Sequence, residues 1–193
     1  MNLNKDKQLR VKDGSMYYQD NNGIIFCDFL DQSNMVGGGH EEGRNTLENP
    51  TRLQRIKALS KQPNVLDFGC GNGLLVEYLK QNGIEATGYD KFNDKFNSEP
   101  LENHYNIVTL IEVIEHTYTP FNEIDLIYKS LVSGGFVMIE TSFTDWLTIE
   151  DNYINPAAGH HCVFSHAGLT ELMTSKGFKE GNHMNRNVRI YQK

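Results

Sequence analysis

The sequence predicts a doubly wound α/β fold: a mostly parallel sheet with a final antiparallel strand, helices on both faces, and an N-terminal extension. Three observations predict it. From residue 64 onward, short apolar runs alternate with amphipathic ones, the pattern of strands joined by crossover helices. Glycines cluster at Gly69, Gly71 and Gly73, where the first buried run hands over to a helix. The last two strand-like runs, 178–183 and 188–191, are joined by a short turn and must be antiparallel to each other.

Each element has its own signal. Residues 1–15 read as a loose polar arm. Residues 15–30 read as a hairpin, because Tyr17, Tyr18 and the run from Ile24 to Phe26 flank the turn signal Asn21-Asn22-Gly23. The glycines at 37–39 mark a flexible stretch. A short helix is expected over 51–60, with Leu53, Ile56 and Leu59 on one face and Pro50 at its start. Val65 to Phe68 is a buried strand, and 73–82 is a helix that ends before Gly83. Residues 84–89 form a second strand, 91–103 are polar and irregular, and 105–111 form a third strand. A helix over 120–131 leads through Gly134-Gly135 into a strand at 136–139, and 165–176 is a helix capped by Gly177. No repeat or low-complexity segment interrupts this order. The chain reads as one domain, with an extension over 1–62 that covers the ligand site and a core over 63–193.

Composition narrows the function. The 193 residues suffice for one substantial core, and 38% hydrophobic with 22% charged residues is ordinary for a soluble protein. A formal net charge of −7 provides no broad basic face for nucleic acid. No apolar run approaches the roughly 20 residues of a membrane span, and the polar start of the chain lacks the apolar stretch of a signal peptide. Cys27, Cys70 and Cys162 are scattered, without a CxxC pair, and read as reduced thiols of a cytoplasmic protein.

The glycine cluster carries the chemistry. In Asp67-Phe68-Gly69-Cys70-Gly71-Asn72-Gly73, glycines at a strand-to-helix turn permit positive φ and close approach of a ligand to the backbone. Asp90, at the end of the next strand, is placed to accept both ribose hydroxyls of an adenosine. A dinucleotide site would need a glycine at position 74, where Leu74 stands, so an NAD(P)-dependent oxidoreductase is disfavoured.

VLDFGCGNG with Gly88-Tyr89-Asp90 resembles the first motif, and the acidic residue after the second strand, of class I S-adenosylmethionine-dependent methyltransferases. Tyr105 to Val108, running on to Glu112-Val113-Ile114-Glu115-His116, resembles that family's fourth strand and its EVIEH turn. Leu131 to Phe136 resembles its LLKPGG turn, with Ser133 in place of the proline. Gly159-His160-His161, through Phe164-Ser165 and Leu169 to Gly177-Phe178, resembles the late HxxxFS stretch of the ubiquinone-biosynthesis-like subgroup, methyltransferase type 11 or 23. Together these motifs cover residues 63–193 in the family's order. The resemblance implies a Rossmann-like fold, S-adenosyl-L-methionine as cofactor and S-adenosyl-L-homocysteine as product. It assigns Asp67, Gly69, Cys70, Gly71 and Gly73 to the methionine-side loop, Asp90 to the ribose and Glu112 to the methionine end. One departure stands out: residues 90–105 have room for little more than a loop, so the family's third strand and its helix are shortened or missing. That strand usually ends near the adenine, and Phe92 takes its place here as the candidate adenine contact.

The acceptor side rests on histidines and carboxylates. Glu112, Glu115 and His116 fall at i, i+3 and i+4, and on a helical turn would share one side. With His160 or His161 they could ligate a divalent cation, an arrangement similar to that of some metal-dependent O-methyltransferases. Non-metal relatives share the same pentad, so the expectation is no metal requirement. His160 or His161, in a glycine-flanked loop at the carboxyl edge of the sheet, is the candidate catalytic base. Phe143, Trp146 and Tyr153 either wall a planar substrate or anchor their loop. His40, His104, His166 and His183 read as surface residues. The resulting expectation is methyl transfer to a small-molecule acceptor, most readily an oxygen nucleophile. The rival is a binding module that keeps the pocket without doing chemistry.

Overall fold

The computed structural model describes residues 7–10, 16–19, 21, 23–27, 42–148, 151, 153, 154 and 159–193. The glycines at 37–39 and His40 lie outside the described residues. The extension contributes β1 (Lys7–Arg10), β2 (Met16–Gln19), β3 (Ile25–Cys27) and α1 (Glu42–Leu59). The core continues with β4 (Asn64–Phe68), α2 (Leu74–Gln81), β5 (Glu85–Tyr89), β6 (Tyr105–Ile111) and α3 (Pro120–Ser130). It closes with β7 (Leu131–Glu140), β8 (Cys162–Val163), α4 (His166–Ser175), β9 (Lys179–Glu180) and β10 (Val188–Gln192).

The main sheet has the order β5-β4-β6-β7-β10-β9. β5, β4, β6 and β7 are parallel, while β10 runs antiparallel to both β7 and β9. This is the predicted doubly wound arrangement with a reversed strand at its end. Leu66, Val108 and Val137 pack with Ile124 and Ile127 of α3 and Leu169 and Met173 of α4. Their chain neighbours Val65, Ile107 and Met138 pack instead with Leu53 and Ile56 of α1 and Leu75 and Leu79 of α2. Successive side chains of a strand point to opposite faces, so both faces are buried and the strands read as unbroken apolar runs. Among the described residues no strand forms between β5 and β6, which leaves β5 at the sheet edge.

Three elements differ from the sequence expectation. Residues 7–10 are part of a strand, not a loose arm: they pair antiparallel with β2. Their polar sequence gave no alternation, as is common at an edge. The helix expected over 51–60 starts at Glu42, with Pro50 inside it rather than at its start. An interior proline removes a helix hydrogen bond, and here the second half of α1 is held by burial of Leu53 and Ile56 and by Arg52 on Glu140. Gly134, with φ 77°, lies within β7 as an irregularity and is not a turn ahead of the strand.

A second sheet, β1-β2-β3-β8, joins the extension to the core. β3 and β8 are antiparallel, with Ile25 opposite Val163 and Phe26 opposite Cys162. Ile24 presses into α4 at Gly168, where any β-carbon would collide with the isoleucine side chain. The extension therefore docks beside the strand that follows His160 and His161. Cys70 is a free thiol.

Candidate active site

The glycine loop is built on the ends of β4 and β5. Gly69, Gly71 and Gly73 all have positive φ, at 76°, 54° and 79°. The amides of Gly69 and Cys70 donate to the Tyr89 carbonyl at 2.7 and 3.1 Å, folding the loop over the end of β5. The Gly71 amide then reaches Oδ2 of Asp90 at 2.9 Å, and the Phe92 amide reaches Oδ1 at 2.9 Å. Both carboxylate oxygens are thus oriented by backbone donors, and each keeps further acceptor capacity. A β-carbon on Gly69 would lie 2.5 Å from Val113, so a larger residue is excluded where the loop meets the turn after β6. Beneath the loop, Asp67 is buried and accepts the Thr109 hydroxyl at 2.7 Å. Burial pushes its carboxyl up to about 6, against the opposing pulls of that hydroxyl and of Arg52.

A cleft opens beside this loop. Phe68, Gly69, Tyr89, Asp90, Lys91 and Phe92 line one part of it, and Glu112, Val113, His116, Thr117, Glu123, Gly159 and His161 the other. Phe92 is 54% exposed there, an uncovered aromatic face. Lys91 Nζ sits 3.0 Å from Oε1 of Glu123, on the first turn of α3. Glu112 reaches the cleft with φ 52°, a left-handed conformation that costs energy outside glycine and recurs at functional sites.

Behind the wall, Tyr153 ties the loop after β7 to the turn at Ile114–His116. Its hydroxyl lies 2.6 Å from Oε1 of Glu115, 2.9 Å from Oγ1 of Thr141 and 3.4 Å from Oε2 of Glu112. Oε2 of Glu115 accepts the Thr141 hydroxyl at 3.0 Å. Glu115 is fully buried, and burial raises its carboxyl against the Tyr153 hydrogen bond. The histidines stand in front of it. His116 Nδ1 is 3.0 Å from the Gly159 carbonyl, and His160 Nδ1 is 2.5 Å from the Tyr153 carbonyl, so each Nδ1–H donates and leaves Nε2 as an acceptor. Burial lowers all three imidazoles, His160 down to about 4, which keeps them neutral near pH 7. His161 is 8% exposed, stacks on Tyr118 at 4.1 Å, and has a buried Nδ1 without a hydrogen-bond partner.

Of the residues singled out in the sequence, Gly69, Asp90, Phe92, Glu112 and His161 meet in this cleft. Asp67, Gly71 and Gly73 shape the loop from outside it. Cys70 turns its thiol into the core beside Val76 and Gly88, so only its backbone faces the loop's work. His160 does not line the cleft. Ligand atoms of Glu115, His116 and His160 lie within 4.8 Å of one another, whereas Glu112 stands outside that group. Phe143 is fully buried, while Trp146 is 51% exposed. His166, expected at the surface, is instead engaged by Arg189 and lies 3.6 Å from Asp145. Sequence reasoning missed Arg52, Lys91 and Glu123, and of the two roles it left open for Tyr153 the structure shows the anchoring one. Lys91 had a local cue in following Asp90, while Arg52 had none, since its ion pair with Glu140 at 2.7 Å is formed across the fold.

Comparison with known proteins agrees with this construction. A family model described as a methyltransferase domain matches residues 41–180. The ubiquinone biosynthesis O-methyltransferase of Hydrogenovibrio crunogenus is 31% identical over 118 residues, 48% of this chain and 49% of that protein. Its counterpart from Yersinia pestis is 29% identical over 119 residues, with the same shares. The chain spans about half the length of these curated relatives. The Burkholderia thailandensis 1,6-didemethyltoxoflavin-N1-methyltransferase, solved with bound 1,6-didemethyltoxoflavin and S-adenosylhomocysteine, superposes with a TM-score of 0.65. That match has 14% identity over 97% of this chain and 99% of the other, and therefore speaks to the fold. With the family model covering most of the chain and the motifs in place on the doubly wound sheet, the chain belongs to the class I S-adenosylmethionine-dependent methyltransferases.

Proposed function

We propose that this chain transfers a methyl group from S-adenosyl-L-methionine to an oxygen nucleophile of a small-molecule acceptor in the cytoplasm. One observation carries the reading: a single cleft joins the ribose-binding geometry at Asp90 to a wall holding the neutral imidazoles of His116 and His161. The residues fit the cofactor. Asp90 presents two pre-oriented oxygens to a sugar diol, and Gly69 lines the cleft beside it without a side chain. When bound, S-adenosyl-L-methionine supplies a sulfonium methyl group, electrophilic without further activation. The protein then has to align the acceptor, exclude water and remove one proton.

His161 takes the hydroxyl proton as the acceptor oxygen bonds to the methyl carbon and the carbon–sulfur bond breaks, leaving a neutral thioether. It is preferred over His160, whose ring does not line the cleft. His116 accepts a hydrogen bond beside it. The test is incubation with labelled methyl donor and a small-molecule extract, followed by mass spectrometry. Label in a small hydroxylated compound supports the reading. Cofactor binding with no labelled product would favour a binding module, and label on nitrogen or carbon would displace the oxygen assignment.

A second reading is favoured by the grouping of Glu115, His116 and His160, whose two Nε2 atoms and carboxylate could hold a divalent cation. We hold the cation dispensable, since both oxygens of Glu115 already accept hydrogen bonds, from Tyr153 and Thr141.

A further inference from the structure

We infer that Glu123, steadied by Lys91, reads the adenine of the cofactor by accepting a hydrogen bond from its 6-amino group. The inference rests on reading the cleft as a S-adenosylmethionine site. With the ribose at Asp90 and the methionine chain toward Gly69 and Glu112, the base projects toward the remaining lining. Away from the acceptor wall around His116 and His161, that lining includes Tyr89, Lys91, Phe92 and Glu123. Because β5 is the sheet edge, no further strand walls this corner, and α3 encloses it instead with Glu123 on its first turn.

Two features of the corner point to a planar base with a donor edge. Phe92 is 54% exposed inside a cleft, an apolar face that a flat ring would cover. The Glu123 side chain is only 12% exposed, and Lys91 Nζ holds its Oε1 at 3.0 Å. A carboxylate so placed is an acceptor without a proton to give. It matches the amino group of adenine and opposes the 6-oxo group of hypoxanthine, which presents an acceptor at the same point. Lys91 fixes which way the carboxylate faces, and its own Nζ lies 5.1 Å from the Phe92 ring centre, so the ion pair and the stacking surface form one unit.

Calorimetric titration with S-adenosylhomocysteine and with S-inosylhomocysteine tests this on the intact chain. The wild type should prefer the adenosyl ligand by about 10–100-fold, the range expected for one hydrogen bond to a charged group. Glu123→Gln offers either an oxygen or an amide nitrogen to the base, and should collapse that preference while melting at the wild-type temperature. Lys91→Met should weaken adenosyl binding several-fold and keep the sign of the preference. An unchanged ratio in Glu123→Gln, or no preference in a wild type that binds both, would place base recognition elsewhere. A folded wild type that binds neither ligand would overturn the reading of the cleft itself, and this inference with it.

Discussion

The amide of Gly71 donates to Oδ2 of Asp90 at 2.9 Å, so the glycine loop and the acidic residue nineteen positions later form one hydrogen-bonded unit. The loop's shape and the carboxylate's aim are set together. Asp90→Ala should therefore weaken S-adenosylhomocysteine binding by about 2–4 kcal/mol, through lost ribose contacts and a loosened loop. Calorimetry checks this, and affinity equal to wild type would remove Asp90 from the site.

Gly69 tests the close approach. Gly69→Ala puts a β-carbon 2.5 Å from Val113 on a backbone with φ 76°. It should abolish measurable cofactor binding. Adding Val113→Ala removes the collision but leaves the left-handed strain of about 1–2 kcal/mol, so the double variant should recover only part of the affinity. Full recovery would mean that φ at this position is unimportant.

Asp67 gives a pH test of stability. Its carboxyl rises from 3.8 to about 6 in the fold, so the native state holds a proton that the unfolded chain has released. Below pH 3.8 both states are protonated and the group contributes nothing. Between there and about pH 6 stability falls as pH rises, and above about 6 the loss is complete. Asp67→Asn keeps the acceptor for Thr109 and should gain up to about 3 kcal/mol at pH 7, with the gain vanishing near pH 4. Urea unfolding of both proteins across this range measures it. A constant difference would refute the burial argument.

His161 and His160 separate kinetically. Once an acceptor is known, His161→Ala should lower kcat by about 10²–10⁴, the usual scale for a lost general base. His160→Ala should cost far less. Burial lowers His161, so the wild-type acid limb should lie below the ordinary histidine value of 6.5, with rate falling as pH falls through it. The reverse ranking of the two variants would move the proton transfer to His160.

Exhaustive chelation should leave turnover unchanged. Activity that disappears with chelator and returns with magnesium, manganese or zinc would make Glu115, His116 and His160 ligands, and His161 would lose its case as the sole base.

The strands were readable in advance because Val65-Leu66, Ile107-Val108 and Val137-Met138 each supply one residue to either face of a doubly covered sheet, and no polar break interrupts them. The loop and Asp90 were readable because each follows a strand of the same parallel crossover unit, which brings the two strand ends together. α1 was cut short because Pro50 reads locally as the start of a helix, while contacts that hold the longer helix, such as Arg52 against Glu140, come from 88 positions away. The same limit left the role of Tyr153 open between a substrate wall and a loop anchor. Nothing near it in the chain announces a phenol shared by Glu115 and Thr141, and the spacing of the EVIEH turn suggested a common face that the positive φ of Glu112 breaks.

The register of Ile25 against Val163 has a kinetic meaning. The parallel strands of the main sheet can assemble by successive crossovers, each closing a loop of moderate length. The β3–β8 ladder pairs Ile25 with Val163, 138 positions later, and so closes a longer loop than the strand pairs of the main sheet. His160 and His161 directly precede β8, so the acceptor wall would take shape last, after the cofactor loop is in place. A folding intermediate of this protein would then bind S-adenosylhomocysteine before it can hold an acceptor.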